Sequence, residues 1–481
     1  MKEGIITSPA GETVHLVVDL DGTLVNTDLL FESFFSAVTL GVRHHVSVLA
    51  ALLRGKAELK AYLAKVSSID YGLLPYDQAT LSLIRKARAE GRQVYLATSS
   101  DQRHAEAVAA HLGLFDGVFA SDGTNNLSGE AKARRLVESF GAGRFDYIGN
   151  NHVDLAIWAQ AHKAYTISAK KRLRHKVEAL GVLAEHIGAK RPSIRTWMKA
   201  LRVQQYAKNV LVFVPLLTAH AFSSSFVLKS WWTFLAFSLC ASSVYLINDL
   251  VDLDADRRHP DKKNRPFASG ELPIVHGIVA IPLLLGMAVI CALAVSVPLL
   301  AVLTAYFALT LAYSLSLKRK LLVDVIVLAM LYTIRVVAGA VALPVVPSTW
   351  LLAFSMFSFT FLALIKRYAE LAMRIDMQLQ DPSNRNYRLA DLPIVGSLAA
   401  ASGVNAITIF ALYINSPAVG ELYRRPEVLW AICPILLYWF GRALVMAHRR
   451  YINEDPILFV LRDHVSILAG GLIVLIMLLA I

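Results

Sequence analysis

The sequence predicts two architectures in series: an N-terminal α/β domain with a small helical cap, then a C-terminal all-α membrane domain of about nine transmembrane helices. Three observations carry this. Up to about Arg195, no window of about 20 residues is free of charge, whereas after Thr196 long apolar runs alternate with short basic loops. The N-terminal stretch holds short buried-strand patterns, in "VHLVVDLDGTLV", "RQVYLATSS" and "FDYIGNNHVD". The 481-residue chain is 56% hydrophobic, too apolar for a soluble protein of that size. The charge break falls near residues 190–197, which divides the chain into 1–190 and 191–481.

Each span needs roughly 20 apolar residues. Runs of that kind centre near Val212, Leu239, Leu284, Ala305, Ala329, Phe357, Ala406, Leu436 and Leu472. Alternate connections are basic. One carries Arg257, Arg258, Lys262, Lys263 and Arg265; others carry Lys318 to Lys320, Lys366 with Arg367, and Arg449 with Arg450. The opposite side holds only Lys229, Arg424 and Arg425. By the positive-inside rule the N-terminal domain lies in the cytoplasm and the C-terminus outside, in a cytoplasmic (inner) membrane. The net charge of +12 sits beside the spans, so it addresses anionic headgroups rather than nucleic acid. The start, "MKEGIITSPAGETVH", has no apolar core of a signal peptide. Three cysteines in apolar runs give neither metal spacing nor a disulfide framework. Nothing in the sequence sets an oligomeric state.

In the first domain, a strand pattern ends in Asp19 and Asp21, a second ends at Thr98, Lys132 opens a helix, and a third strand leads to Asp154. This ordered set resembles the haloacid dehalogenase (HAD) superfamily over roughly residues 12–170, with a helical cap over about 25–90. The resemblance implies that Asp19 is a nucleophile and Asp21 an acid/base. It also implies that Thr98 and Lys132 bind phosphoryl oxygens and that Asp19, Asp21 and Asp154 hold Mg²⁺. Asn150 stands where that family has an aspartate, which leaves Asp154 as the acidic ligand of its loop.

The second domain's most informative stretch is "NDLVDLDADRRHPDKKNRP" at residues 248–266. At about 100° per residue, Asp249, Asp252 and Asp256 fall within roughly 60° of one another on a helix, and Asp254 points away. Clustered carboxylates repel unless cations join them. Hard oxygens suit Mg²⁺, with Mn²⁺ as substitute, and Mg²⁺ commonly shares itself with substrate phosphates. His259, Lys262 and Arg265 follow at once to grip the same phosphates. The stretch resembles the first Asp-rich motif of the UbiA prenyltransferase superfamily, whose tail is complete here through residue 270. "RVQQYAKN", with Lys208 and Asn209, and "YSLSLKR", with Lys318, also fit, and Asn248 begins the motif.

Where that superfamily carries a second acidic motif, this chain reads "KRYAELAMRID", with Lys366 and Arg367. Together with "YTIRVVAGA" and "DPILFVLRD" this resembles the branch that includes decaprenyl-phosphate phosphoribosyltransferases. The resemblance implies a phosphoribosyl diphosphate donor and a polyprenyl phosphate acceptor, in the synthesis of a cell-envelope polysaccharide or glycolipid. The HAD-like domain would then remove the 5-phosphate. Two alternatives stay open: prenyl transfer to an aromatic acceptor, and a transporter or lipid-binding protein without catalysis. Asp324 near one end of the fifth run reads as a cap or a site residue. Arg335, deep in the same run, reads as a site residue or a structural ion.

Overall fold

The computed structural model describes residues 14–39, 42–122, 125–188, 192–382, 385–452 and 456–481. The chain forms two compact units, Met1–Leu201 with Leu246–Ala280, and Arg202–Tyr245 with Ile281–Ile481. The division expected at 190/191 lies outside the described residues. Residues 246–280, which the sequence assigns to the membrane domain, cluster with the first unit.

The first unit is built on six parallel strands: β1 (His15–Val18), β2 (Val94–Asp101), β3 (Gly117–Ser121), β4 (Phe145–Gly149), β5 (Lys163–Ile167) and β6 (Leu183–Ile187). Their spatial order is β3-β2-β1-β4-β5-β6. Strands covered on both faces read as continuous apolar runs, as in "LVV" of β1. One face packs Leu16, Val18, Leu81 and Ile84 together, the other Val17, Phe145, Tyr147 and Trp158. The order reverses between β1 and β4. That switch point opens a crevice beyond the carboxyl ends of the strands, where such sheets bind ligands.

The cap is smaller than the sequence suggests. Helices Leu29–Thr39, Val42–Arg54 and Lys56–Val66 pack through Ala37, Val48 and Leu63. The next helix, Gln78–Ala89, instead buries Leu81, Ile84 and Ala87 against the sheet.

Among the described residues seven helices are long and apolar enough to cross a membrane: Ser224–Val251, Ile274–Leu293, Val297–Leu315, Val323–Ala342, Thr349–Asp376, Leu389–Ile414 and Pro426–His448. The expected nine is therefore not reached. The run near Val212 is a 3₁₀ segment, Val203–Phe213, followed by a five-residue helix, Val214–Thr218. Pro215 sits in the first turn of that short helix, where its missing amide goes unused. The broken segment passes close to helix Val323–Ala342, where a Cβ on Gly339 would strike the Val212 carbonyl. The last apolar run is a helix of 17 residues, His464–Ala480, opened by Asp463 accepting from the Ser466 amide.

Candidate active sites

Every element of the first site ends at the sheet's switch point. Asp19 follows β1 and is 8% exposed. Its Oδ1 accepts from Lys132 Nζ at 2.8 Å, and its Oδ2 from the Thr23 hydroxyl at 3.3 Å. Lys132, in helix Glu130–Phe140, also donates to the Ala97 carbonyl and to Tyr147 Oη, each at 3.1 Å. The Tyr147 hydroxyl donates onward to Asp154 Oδ1 at 3.1 Å. Asp154 Oδ2 accepts from the Asn150 and Asn151 amides at 3.1 and 2.9 Å. A chain of polar groups thus links β1, β4 and the helix that Lys132 opens.

Asp21 is held separately. Its Oδ1 accepts from the Leu29 amide at 2.8 Å, and its Oδ2 from the Ser100 hydroxyl at 2.5 Å and from Thr98 Oγ1 at 3.4 Å. Burial pushes its carboxyl up to about 7, and the charges of Asp28 and Asp19 add to the effect. Burial likewise raises Asp154 to about 6, with the Asp19 charge contributing. A carboxyl that keeps its proton near neutrality is suited to general-acid work. Gly22, directly after Asp21, has φ +72°, and a Cβ there would meet the Asn150 side chain. Only glycine fits a position that is both left-handed and this crowded.

Among the described residues no three His, Cys, Asp or Glu side chains stand close enough to hold a metal by themselves. The expected ligand set of Asp19, Asp21 and Asp154 is therefore not assembled as one group. Asp21 is turned to Leu29 and Ser100. Asp19 and Asp154 still fit a hard divalent ion by chemistry: both are buried, and the Asp19 charge raises the proton affinity of Asp154.

The Asp-rich stretch breaks at Asp252. Helix Ser224–Val251 ends there, and Leu253–Arg258 begins. Asp249 and Asp256 are each 2% exposed, and both reach one cation. Arg265 Nη1 donates to Asp249 Oδ1 at 3.0 Å and to Asp256 Oδ2 at 2.6 Å. Asp252 is half-buried at the break, and Asp254 turns to Arg258. The face drawn from the sequence therefore holds for Asp249 and Asp256 and leaves out Asp254, as expected; Asp252 is not joined to the Arg265 pair. Burial raises the Asp256 carboxyl while Arg265 opposes the shift. Two buried carboxylates already gathered around a positive charge are a donor set that fits Mg²⁺, provided Arg265 yields its place. His259 Nδ1 accepts from the Asp261 and Lys262 amides, and the Lys262 side chain is exposed. Asn248 is half-buried.

Sequence reasoning missed a buried link inside this unit. Arg257 Nη1 and Nη2 donate to Glu32 of the first cap helix, and Arg257 Nε to the Ala268 carbonyl. Thr27 Oγ1 donates to the same Glu32 at 2.6 Å. No local signal reveals such a pair, because its members lie 225 residues apart. Ser100 was also missed. A strand places residues i and i+2 on one face, so its position relative to Thr98 was a usable signal.

In the second unit the expected substrate ligands are mostly engaged internally. Asn209 donates to Ser238 Oγ at 3.0 Å and accepts from Arg335 Nε at 2.7 Å. Arg335 also donates to the Tyr306 hydroxyl and the Leu331 carbonyl, and lies over the rings of Tyr306 and Tyr332. Its charge is thus met by carbonyls, hydroxyl and ring faces. Lys208 is buried with its ammonium 5.8 Å from the centre of the Tyr332 ring. Arg367, 1% exposed, donates Nε to Asp324 at 2.6 Å, Nη1 to Glu370 and Nη2 to Tyr313. Tyr387 donates to the other oxygen of Asp324 at 2.7 Å. All three guanidinium nitrogens of Arg367 are therefore committed to the protein. Lys318 and Lys366 are half-buried.

A parallel-sheet unit with an Asp–Lys–Tyr–Asp chain at its switch point, and seven long apolar helices among the described residues, define an integral membrane enzyme with a hydrolase-like domain. The chain belongs to the UbiA prenyltransferase family, whose model matches residues 210–467, and residues 16–158 match the haloacid dehalogenase-like hydrolases. It is 38% identical over 462 residues to an uncharacterised protein of Sinorhizobium fredii, y4nM, covering 95% of this chain and 89% of that one. The nodulation protein NoeC of Azorhizobium caulinodans is 33% identical over 285 residues, 58% of this chain and 93% of that one. A decaprenyl-phosphate phosphoribosyltransferase of Mycobacterium tuberculosis is 38% identical over 182 residues, 36% of this chain and 59% of that one.

Proposed function

We propose that the chain is a bifunctional enzyme of lipid-linked pentose synthesis. Residues 191–481 transfer 5-phosphoribose from phosphoribosyl diphosphate to a polyprenyl phosphate, and residues 1–190 remove the 5-phosphate. The observation that carries the reading is the 38% identity to a decaprenyl-phosphate phosphoribosyltransferase. The basic "KRYAEL" in place of a second acidic motif supports it.

In the transfer, a lipid phosphate oxygen attacks the anomeric carbon, the bond to the diphosphate oxygen breaks, and diphosphate leaves. The nucleophile is already an anion, so no strong base is required. Asp249, Asp252 and Asp256 would hold Mg²⁺ (or Mn²⁺), which neutralises diphosphate charge when bound. Asn248, Lys208, Asn209, His259, Lys262, Arg265, Lys318 and Lys366 are assigned to the anionic substrates. Arg367 is assigned to positioning Asp324 and Glu370, since each of its guanidinium nitrogens already donates within the protein.

In the hydrolysis, an Asp19 oxygen attacks phosphorus, and Asp21 gives its proton to the departing sugar oxygen. Asp21 then takes a proton from the water that cleaves the aspartyl-phosphate, and inorganic phosphate leaves. Thr98 and Lys132 bind the phosphoryl oxygens. The positive-inside pattern supports an N-terminal domain in the cytoplasm and a C-terminus outside; a reporter fused after Ile481 and active in the cytoplasm would contradict this.

The test uses membranes holding the full chain, labelled phosphoribosyl diphosphate and polyprenyl phosphate. The unaltered chain is expected to release phosphate and leave a lipid-linked ribose. Asp19→Asn is expected to transfer normally but to accumulate the 5-phosphorylated lipid. Identical phosphorylated products from both would remove the hydrolytic half. Prenylation of a hydroxybenzoate instead would remove the transferase assignment.

A further inference from the structure

The crevice at Asp19 is larger than one phosphate requires. The cavity measures about 1570 Å³, against roughly 300–1,000 Å³ for small-molecule sites. Besides Asp19 and Lys132 it is lined by Lys170, Lys171 and Arg172, just past the end of β5. Two strand spacings, about 10 Å, separate β5 from β1 in the sheet, so the backbone that carries these cations is set to the side of the strand that carries the nucleophile. All three are exposed, and among the described residues none is held in an ion pair. The turn that presents them begins at Ser168, whose φ of 51° is left-handed and unfavourable for a residue other than glycine.

A third wall is apolar. Trp197 and Val275 line the cavity, and the Trp197 ring meets His276 edge-on at 6.3 Å. Val275 and His276 lie in the first turn of Ile274–Leu293, a helix long and apolar enough to cross a membrane. On helix Ile194–Ala200, Ile194 and Met198 share one face and are 81% and 51% exposed. The cavity thus offers a nucleophile, a separate group of cations and an apolar exit at a membrane helix.

We propose that Lys170, Lys171 and Arg172 form a second anion subsite. It selects substrates that carry another phosphate, a phosphodiester to a lipid above all, besides the phosphomonoester cleaved at Asp19, with the apolar tail leaving past Trp197 and Val275. The proposal rests on the hydrolytic reading of Asp19. It adds what distinguishes a lipid-linked phosphosugar from soluble phosphomonoesters: a pentose with an anion at each end spans both groups, and a monophosphate does not.

The experiment is lysine footprinting of the full chain in neutral detergent, with acetylation read by mass spectrometry. Ribose 1,5-bisphosphate is expected to slow acetylation of Lys170 and Lys171 about tenfold, the gain from one well-made charged contact. Ribose 5-phosphate should leave both lysines reactive. A second arm measures inhibition of p-nitrophenyl phosphate hydrolysis. The bisphosphate should inhibit about tenfold more tightly than the monophosphate. Lys170→Gln/Lys171→Gln/Arg172→Gln should erase that preference, and Lys170→Arg/Lys171→Arg/Arg172→Lys should keep it, which separates charge loss from misfolding. Equal protection by both sugars overturns the subsite. So does equal protection by short-chain phosphatidylglycerol, which would make the cations a headgroup anchor. If p-nitrophenyl phosphate is not hydrolysed but the footprint holds, the hydrolytic reading fails and the subsite stands.

Discussion

The first unit contains two groups of buried carboxylates, and each meets its excess charge differently. At the sheet edge the cation is Lys132, itself 4% exposed and fixed by three partners. In the Asp-rich stretch it is Arg265, whose side chain is 27% exposed and arrives from a loop nine residues past Asp256. The first cation belongs to the scaffold; the second stands at the edge of solvent, where a metal-bound diphosphate can take its place. The difference teaches how one motif contains both acids and bases: Arg265 bridges Asp249 and Asp256, and on the function proposed above it would give way to the metal-bound donor.

The comparison breaks most visibly at the acids themselves. Asp249→Ala and Asp252→Ala are each expected to lower transfer about a hundredfold or more, since metal-held charge contributes several kcal/mol. Asp254→Ala should be far milder, because Asp254 only pairs with the exposed Arg258. Labelled lipid formed per minute is the measure. Equal loss in all three variants would mean that the stretch acts through its net charge rather than through one face.

A middle-sized effect is expected where the cap meets the Asp-rich stretch. Glu32 and Arg257 are 5% and 8% exposed. Glu32→Gln leaves the Arg257 charge buried without its partner, a loss of about 3–5 kcal/mol. In a unit of this size that lowers Tm by roughly 10 °C. The double variant Glu32→Gln/Arg257→Gln should recover much of the loss, because no lone charge remains. Calorimetry of Glu32→Gln, Arg257→Gln and the double variant decides. A double variant as unstable as the worse single one would show that shape, not charge, joins these elements. Transfer by the double variant further tells whether the cap helix helps to hold the Asp-rich stretch.

Local pattern made much of this legible. The strands are short apolar runs, and a parallel sheet buried on both faces demands such runs. Asp19, Lys132 and Asp154 were found because each sits where a strand or helix begins or ends, whereas Thr98, expected at a strand end, lies within β2, which runs on to Asp101. Asp249 and Asp256 were found because helical spacing aligns them. What stayed hidden depends on partners distant in sequence. Arg367 reads as a ligand in "KRYAEL" until Asp324, 43 residues earlier, is seen to hold it. The run around Val212 reads as a span by hydropathy, and nothing in the local pattern announces its 3₁₀ course. Arg257 reads as one more cation in a basic loop, since nothing nearby announces Glu32.

The smallest expected effect follows from proton affinity at the sheet edge. Asp21 and Asp154 would ionise near 3.8 in the unfolded chain but near 7 and 6 in the folded one. Between those values the folded state binds more protons, so stability falls as pH rises. The contribution is fully present below about 3.8 and is lost as pH passes through 6 to 7. Asp21→Asn removes one of the two groups and keeps an acceptor for the Leu29 amide. Its Tm relative to the unaltered chain should therefore climb between about pH 5 and about pH 8, by a few degrees at roughly 2–4 °C per kcal/mol. Mg²⁺ should narrow the gap at the upper end, because an ion beside Asp19 relieves the repulsion that raises its neighbours. In the Asp-rich stretch burial raises Asp256 in the same sense but Arg265 opposes the shift, so Asp256→Asn should show a smaller climb. Parallel melting curves for Asp21→Asn and the unaltered chain would mean that Asp21 is ionised at neutral pH, and the proton for the departing sugar oxygen would have to come from elsewhere.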